Sequence, residues 1–319
     1  TGADRHAFLD RMFCGAVTKR TGRVGLGYLL NHHGMVKSEA TIANLPASDR
    51  GPERVWFGSA AAAEYHDMDW LQLHLDPAED VRLRSLTNDY TILVLAGPNA
   101  RAVLSACARG DWSKEAFPWL SVRECFVGIA TATVMGVSFS GELAYEIHVP
   151  NAQLYAAYLA LRAAGEAHGL RLFGARAVES MRMEKGFLHW KSDLLTEFDP
   201  FETGLDRFVR LDKPAFIGKD ALVKRAGQPR AKALVTLQID SKTAPAHGGA
   251  SLMREARVVG TITSGDYGHR VDTNLAYAFV DAEYAAAGTT LTLDLCGKAV
   301  PSTVIPMAPY DPELSRARA

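Results

Sequence analysis

Apolar and polar residues alternate most clearly in FSGELAYEIHVP, residues 139–150. The even positions carry mostly polar residues, among them Glu142, Glu146 and His148. The odd positions are apolar: Val137, Phe139, Leu143, Tyr145, Ile147 and Val149. A period of two is typical of a half-buried strand, because successive side chains point to opposite faces of a sheet. The pattern therefore predicts a strand that places its odd positions in the core.

Other stretches space their apolar residues with the period of a helix. The predicted helices cover residues 3–13, 61–75, 152–169 and 174–186. In the second helix, the stripe that should face the core consists of Tyr65, Met68, Leu71 and Leu75. Gly169 and Gly186 are suited to end the last two helices, because glycine readily takes the left-handed conformation that closes a helix.

Short apolar runs between these helices predict strands. Residues 24–45 indicate a strand, a turn at 31–34 and a second strand, and residues 54–60 indicate a third. Residues 90–108 predict a buried strand, a Gly-Pro turn and a helix. Frequent hairpins favour α+β units with antiparallel sheets over one doubly wound sheet.

The pattern changes near residues 226–232, after which short strands follow one another with almost no helical spacing. We therefore predict an α+β core over residues 1–225, with two interleaved subdomains, and a C-terminal β-barrel or sandwich over residues 226–319. The glycines of Gly265-Asp266-Tyr267-Gly268 predict a hairpin turn at that point.

Composition narrows the classes of function. The formal net charge is −1, which argues against a nucleic-acid partner or a charged membrane surface. The 4 cysteines form no CxxC pair, so neither a zinc site nor a disulfide framework is expected, and a reducing compartment fits. No apolar run approaches a membrane span and no signal peptide is evident, so a cytoplasmic protein is expected. The sequence begins with Thr in mid-element, which suggests one domain of a longer polypeptide.

Several polar residues allow more than one interpretation. Glu146 is either a solvated residue of its strand or a carboxylate that accepts the paired N–H groups of a pterin-like ring. Arg182 fits a buried ion pair, with Asp193 and Glu202 as possible partners. Trp190 suits a flat ligand as well as the core. His32-His33 lacks a third ligand at a suitable spacing for a metal.

The order of several motifs identifies a resemblance. They are GYLLNHHGMVKSEATI, FSGELAYEIHVP, GARAVESMRMEKGFLHWKSDL, PFETGLDRFVRLDKPAFIGKDAL, TITSGDYGHRVDTNLAYAFV and PYDPE. Together they resemble the folate-binding aminomethyltransferase family of the glycine cleavage system, over nearly the whole chain. The similarity is greater to the C-terminal halves of dimethylglycine and sarcosine dehydrogenases, where the module follows a flavin domain. The resemblance implies a three-domain cloverleaf with a central tetrahydrofolate pocket.

The resemblance also implies roles for individual residues. Glu146 matches the glutamate that binds the pterin. Glu39 stands where the family has the Asp that assists the folate nitrogen, so it is the candidate catalytic residue. The remaining candidates for the folate pocket are Phe139 in place of a Tyr, Ser59 in place of an Asn, Trp190 as an apolar wall, and Arg176, which lies two positions from the site of a family Arg now occupied by Val178.

The implied function is transfer of a one-carbon unit from a methylated amine, or its iminium, to tetrahydrofolate. The flavin (FAD) of such a system would belong to a missing domain or to a partner subunit, because the chain has no GxGxxG followed by a helix. Two alternatives remain. One is a structural or assembly domain that has lost its chemistry and supports a flavoprotein, and the other is a folate-dependent demethylase of another methylated compound.

Overall fold

A computed structural model describes residues 1–242 and 244–319 of the chain. Its first unit is an antiparallel sheet with two helices on one face. The helices are α1 (Arg5–Met12) and α2 (Glu64–Leu73). The strands, in the order β1-β2-β3, are β1 (Val24–Leu30), β2 (Val36–Leu45) and β3 (Arg54–Gly58). The predicted turn between β1 and β2 is confirmed, and Gly34 in it has a φ of 76°.

The second unit is an antiparallel sheet in the order β4-β7-β6-β5, with two helices on one face. The strands are β4 (Tyr90–Ala96), β5 (Val122–Val127), β6 (Ala130–Met135) and β7 (Ala144–Pro150). The helices are α3 (Ala100–Cys107) and α4 (Leu154–Glu166). The odd residues of β7 are buried against these helices, which confirms the alternation.

The third unit is a closed barrel in the order β10-β11-β8-β13-β12-β9. Its strands are β8 (Lys232–Ile239), β9 (Ser251–Arg254), β10 (Arg257–Gly268), β11 (Thr273–Asp281), β12 (Thr290–Leu295) and β13 (Lys298–Ile305). Helix α5 (Ala175–Glu184) packs on β10 and β11, and α6 (Lys219–Arg225) precedes the barrel. The predicted α+β class with antiparallel sheets and a C-terminal barrel is confirmed. The division at residues 225 and 226 stays a prediction.

Local predictions failed at three places. Tyr65 is 79% exposed, because α2 buries Asp67 next to the correctly predicted Leu71. Residues 265–268 lie in strand β10, since the connection to β11 occurs at residues 269–272. Strand β4 is an edge strand that pairs with β7 alone among the described residues, so its apolar run is only partly buried.

Candidate active site

One face of the first sheet is open at its middle. Its two ends are covered: Val24 and Ala43 pack against the second sheet, and Tyr28 packs among residues of α5 and the barrel. Directly paired residues point to the same face, so Leu26 lies on this face between the covered ends, and Glu39 lies on it opposite Tyr28. Leu26 is 41% exposed, which is unusual for a Leu in a central part of a fold.

The second sheet presents an open face to the first. Val94, Met135 and Glu146 are directly paired across β4, β7 and β6 and therefore share this face. Met135 belongs to the cluster that joins the two sheets, whereas Val94 is 47% exposed. The two sheets meet through Val24, Ala43 and Met135, whereas Leu26 and Val94 on the same two faces are exposed. We take the region of these two faces that also carries Glu39 and Glu146 as the candidate site and call it the central opening.

Aromatic residues from two loops pack on one another or bond to the first sheet. Phe139 lies in the loop between β6 and β7 and stacks on Phe187, with ring centroids 6.4 Å apart and planes at 12°. His189 lies 6.5 Å from Phe139 by ring centroid. The indole N–H of Trp190 donates to the backbone oxygen of Lys37, 3.2 Å away, at the start of β2. The segment after α5 is thereby fixed to the first sheet.

Glu39 is a carboxylate held in a poorly hydrated place. It pairs with Tyr28 across β1 and β2, and the two side chains form a hydrogen bond. Burial raises the pKa of Glu39 to about 7, although the bond from the Tyr28 hydroxyl opposes the rise. Such a carboxyl group changes its protonation near neutral pH, which suits a residue that takes up and returns a proton.

Glu146 is better hydrated. Its side chain is 33% exposed, and Oε2 lies 3.3 Å from Nε2 of His148. His148 is 4% exposed because the ring of Trp56 covers it at 5.6 Å, edge to face. Within the described part of the chain, no protein donor forms a hydrogen bond with the Glu146 carboxylate. The carboxylate therefore remains available to a ligand with two adjacent N–H donors.

The structure places the other candidates unevenly. Phe139, 37% exposed, stacks on Phe187 in the segment after α5, and Trp190 is half-buried and bonds to the backbone of Lys37. Ser59 follows β3 directly and is half-buried. Arg176 lies in the first turn of α5 and is exposed, so nothing in the geometry directs it to the opening. The role of each residue in binding stays a prediction.

Sequence analysis missed several residues that border the site. Leu26 and Val94 have the composition of ordinary core positions, and only their exposure marks them as lining. Tyr28, which forms the hydrogen bond to Glu39, is separated from it by 10 intervening residues, Leu29–Ser38. The hairpin register could have suggested this pair, because a turn at residues 31–34 places positions near 28 and 39 opposite each other.

The structure also bears on metal and membrane roles. In residues 1–242 and 244–319, no group of three or more His, Cys, Asp or Glu side chains is placed to hold a metal ion. None of the helices in that described part is long and apolar enough to cross a membrane.

Replacing Glu39 by Gln should stabilise the protein at alkaline pH. The pKa of Glu39 is about 7 in the folded state against an ordinary 4.5, so the folded state holds an extra proton between these values. The contribution of the protonated Glu39 to the free energy of unfolding is fully present below pH 4.5 and is lost as the pH rises through 7. Glu39→Gln should therefore unfold with a free energy higher by roughly 3 kcal/mol at pH 8.5, and equal to the parent at pH 4.

Urea titrations at both pH values measure this difference. Glu166→Gln, at an exposed position near the end of α4, controls for the loss of one negative charge. A Glu39→Gln variant no more stable than the parent at pH 8.5 would contradict the assigned burial.

The fold has a close counterpart among solved structures. The glycine cleavage system aminomethyltransferase T from Bartonella henselae superposes with a TM-score of 0.84, covering 96% of this chain and 81% of that one, at 22% identity. This likeness places the chain in the structural class of the T-type aminomethyltransferases by its fold.

Sequence comparison establishes the family. The GCVT N-terminal domain model matches residues 1–213, and the glycine cleavage T-protein C-terminal barrel domain model matches residues 232–311. The chain belongs to the glycine cleavage T-protein family. The resemblance inferred from the motifs is thus confirmed.

Individual relatives differ in length. The chain is 30% identical over 319 residues to the mitochondrial dimethylglycine dehydrogenase of Mus musculus. The aligned region covers 99% of this chain but only 36% of that protein. It is 32% identical over 226 residues to an aminomethyltransferase of Saccharopolyspora erythraea, covering 70% of this chain and 61% of that one. The chain thus spans about a third of the length of the dehydrogenase that it matches.

Proposed function

We propose that this protein binds tetrahydrofolate in the central opening and transfers to it a one-carbon unit from a methylated amine or its iminium. The observation that carries this proposal is that Glu39 and Glu146 lie on the two sheet faces that meet at Met135, and that these faces also carry the exposed Leu26 and Val94. A flat ring with paired N–H donors matches this chemistry.

The residues fit the pterin end of the ligand. The open carboxylate of Glu146 would accept two adjacent N–H groups, and Nε2 of His148 lies 3.3 Å from it. Both residues lie on a strand, which keeps the acceptor atoms in a fixed geometry. The apolar side chains of Leu26, Val94 and Phe139 would cover the ring faces.

Glu39 would accept the proton that the transfer releases. Tetrahydrofolate supplies the nitrogens that take up the one-carbon unit. Glu39, with a pKa of about 7, would accept the proton released from such a nitrogen and hold it through its bond with Tyr28. The aromatic side chains of Phe139 and Trp190 would exclude water, so that the one-carbon unit is not lost by hydrolysis.

A flavin-dependent amine dehydrogenase, as a domain or a separate subunit, is the partner that this chemistry requires. Oxidation of a methylated amine generates the iminium, and the chain spans only about a third of its dehydrogenase relatives. We place the FAD on that partner, because the described residues offer no nucleotide-binding loop followed by a helix.

A coupled assay tests the proposal. A flavoprotein that oxidises dimethylglycine is mixed with tetrahydrofolate, with or without this chain. The proposal predicts that the chain lowers free formaldehyde and raises methylenetetrahydrofolate by an equal amount. Unchanged amounts of both products would favour the alternative of an assembly domain, provided that the chain forms a stable complex with the flavoprotein.

A further inference from the structure

A second cluster of chemically active side chains lies where β2 begins and α2 packs against it. Nζ of Lys37 lies 3.0 Å from Nε2 of His66. Nδ1 of His66 lies 2.9 Å from Oδ1 of Asp67, and the Ser38 hydroxyl donates to the other oxygen of Asp67 at 2.8 Å. Lys37, His66 and Asp67 thus form a continuous chain of hydrogen bonds, which we call the lysine relay.

The hydrogen-bond partners of His66 determine which of its ring nitrogens carries the proton in the lysine relay. A carboxylate only accepts hydrogen bonds and an ammonium only donates them. His66 therefore carries its proton on Nδ1, facing Asp67, and presents the lone pair of Nε2 to Lys37. Asp67 is 3% exposed and is held by Ser38, so the imidazole has a fixed orientation. This arrangement is that of an amine with a general base beside it, and a carboxylate that orients the base.

Burial and a neighbouring lysine oppose the charge of Lys37, whereas the ring face of Trp70 stabilises it. The Lys37 ammonium lies 4.5 Å from the ring centroid of Trp70, and His66 packs against Trp190 at 5.7 Å. Burial lowers the pKa of Lys37, Asp67 opposes the shift, and Lys191 from the facing loop adds to it. Lys37, His66 and Asp67 themselves have no role in the proposed transfer chemistry.

We propose that Lys37 is a nucleophilic amine that takes up a small aldehyde as an imine, with His66 as its base and Asp67 as the residue that positions His66. The Lys37 ammonium gives one proton to Nε2 of His66, and the free amine attacks the carbonyl carbon. Loss of one water leaves the imine, and the reaction needs neither oxidant nor reductant. The step itself uses neither tetrahydrofolate nor the carboxylates of Glu39 and Glu146.

The limited space around Lys37 and the reactivity of its amine indicate a small aldehyde as the ligand. Lys37 is half-buried between α2 and the loop that carries Trp190, so a large carbonyl compound would meet these side chains. Aldehydes are more electrophilic than ketones, and formaldehyde is the smallest of them. It is also the hydrolysis product of any N-methyl iminium, the donor class of the proposed function.

Site-resolved reductive methylation tests this inference. The protein is treated with substoichiometric formaldehyde and cyanoborohydride, which reduces an imine to the N-methyl amine, and each lysine is followed by peptide mass spectrometry. At pH 7, Lys37 should react about tenfold faster than Lys224, an exposed lysine of α6.

Variants separate the relay from simple exposure. His66→Gln should reduce the rate at Lys37 to that of Lys224 and leave Lys224 unchanged. Asp67→Asn should also lower the rate at Lys37. It serves as a second variant if His66→Gln does not fold. Equal rates at Lys37 and Lys224 in the parent protein, or a Lys37 rate unaffected by both folded variants, would overturn the proposal.

Discussion

Replacing Asp193 by Ala is expected to lower the free energy of unfolding by about 3 kcal/mol, the lower end for breaking a buried ion pair. The change removes the buried carboxylate that pairs with Arg182 and leaves this guanidinium paired with the half-exposed Glu179. Arg182 and Asp193 have fully buried side chains, and Nη1 donates to Oδ2 at 2.6 Å. The other oxygen of Asp193 accepts from Thr263 at 2.5 Å and Ser264 at 2.7 Å. Asp193 therefore joins α5, the loop after it and the barrel.

Chemical denaturation measures this loss. Asp193→Asn keeps the shape and some of the hydrogen bonds, so it should lie between the parent and Asp193→Ala. Asp212→Ala is the control, because Asp212 forms an exposed ion pair with Arg210, and its denaturation midpoint should stay near that of the parent. A midpoint for Asp193→Ala as high as that of Asp212→Ala would refute the structural role of the buried pair.

Glu39→Gln is expected to lower one-carbon transfer by about a hundredfold or more, since removal of a positioned proton acceptor typically costs this much. The amide keeps the size of the side chain and its bond to Tyr28 but accepts no proton. Because the pKa of Glu39 is about 7, transfer by the parent should rise with pH through that value and then level off. The rise should be absent in the variant.

The shape of the pH profile separates catalysis from folding. At alkaline pH Glu39→Gln is expected to be the more stable protein, so a loss of transfer there cannot come from unfolding. Glu39→Asp restores the residue type that the family has at this position and should retain measurable transfer. A Glu39→Gln variant that transfers at the parental rate would remove Glu39 from the mechanism.

Sequence predicted the local structure correctly where a single pattern, such as the alternation of apolar and polar residues, was clear. The odd residues of β7 are buried as the alternation predicts, and the predicted partner of Arg182 is confirmed in Asp193. Glu202 instead accepts hydrogen bonds from the backbone N–H groups of Asp199 and Lys232. Strand β9 was not predicted, because its four residues, SLMR, are too short to show a period.

The candidate site was harder to predict, because it depends on contacts between units. Alternation predicts an exposed His148, yet it is 4% exposed, since Trp56 from the first sheet covers it. Glu39 was found through the family resemblance, and no local pattern marks its burial. The lysine relay joins residues about thirty positions apart, and only the packing of α2 on β2 brings Lys37 to His66.

Calorimetric titration with tetrahydrofolate, on the parent chain and on Glu146→Gln, tests the central claim most directly. The account predicts that the parent binds and that Glu146→Gln binds at least about a hundredfold more weakly, because a bidentate acceptor of two N–H groups is lost. Glu166→Gln, at an exposed position at the end of α4, should bind like the parent. Equal affinity of the parent and Glu146→Gln would contradict the claim that this carboxylate holds the pterin in the central opening.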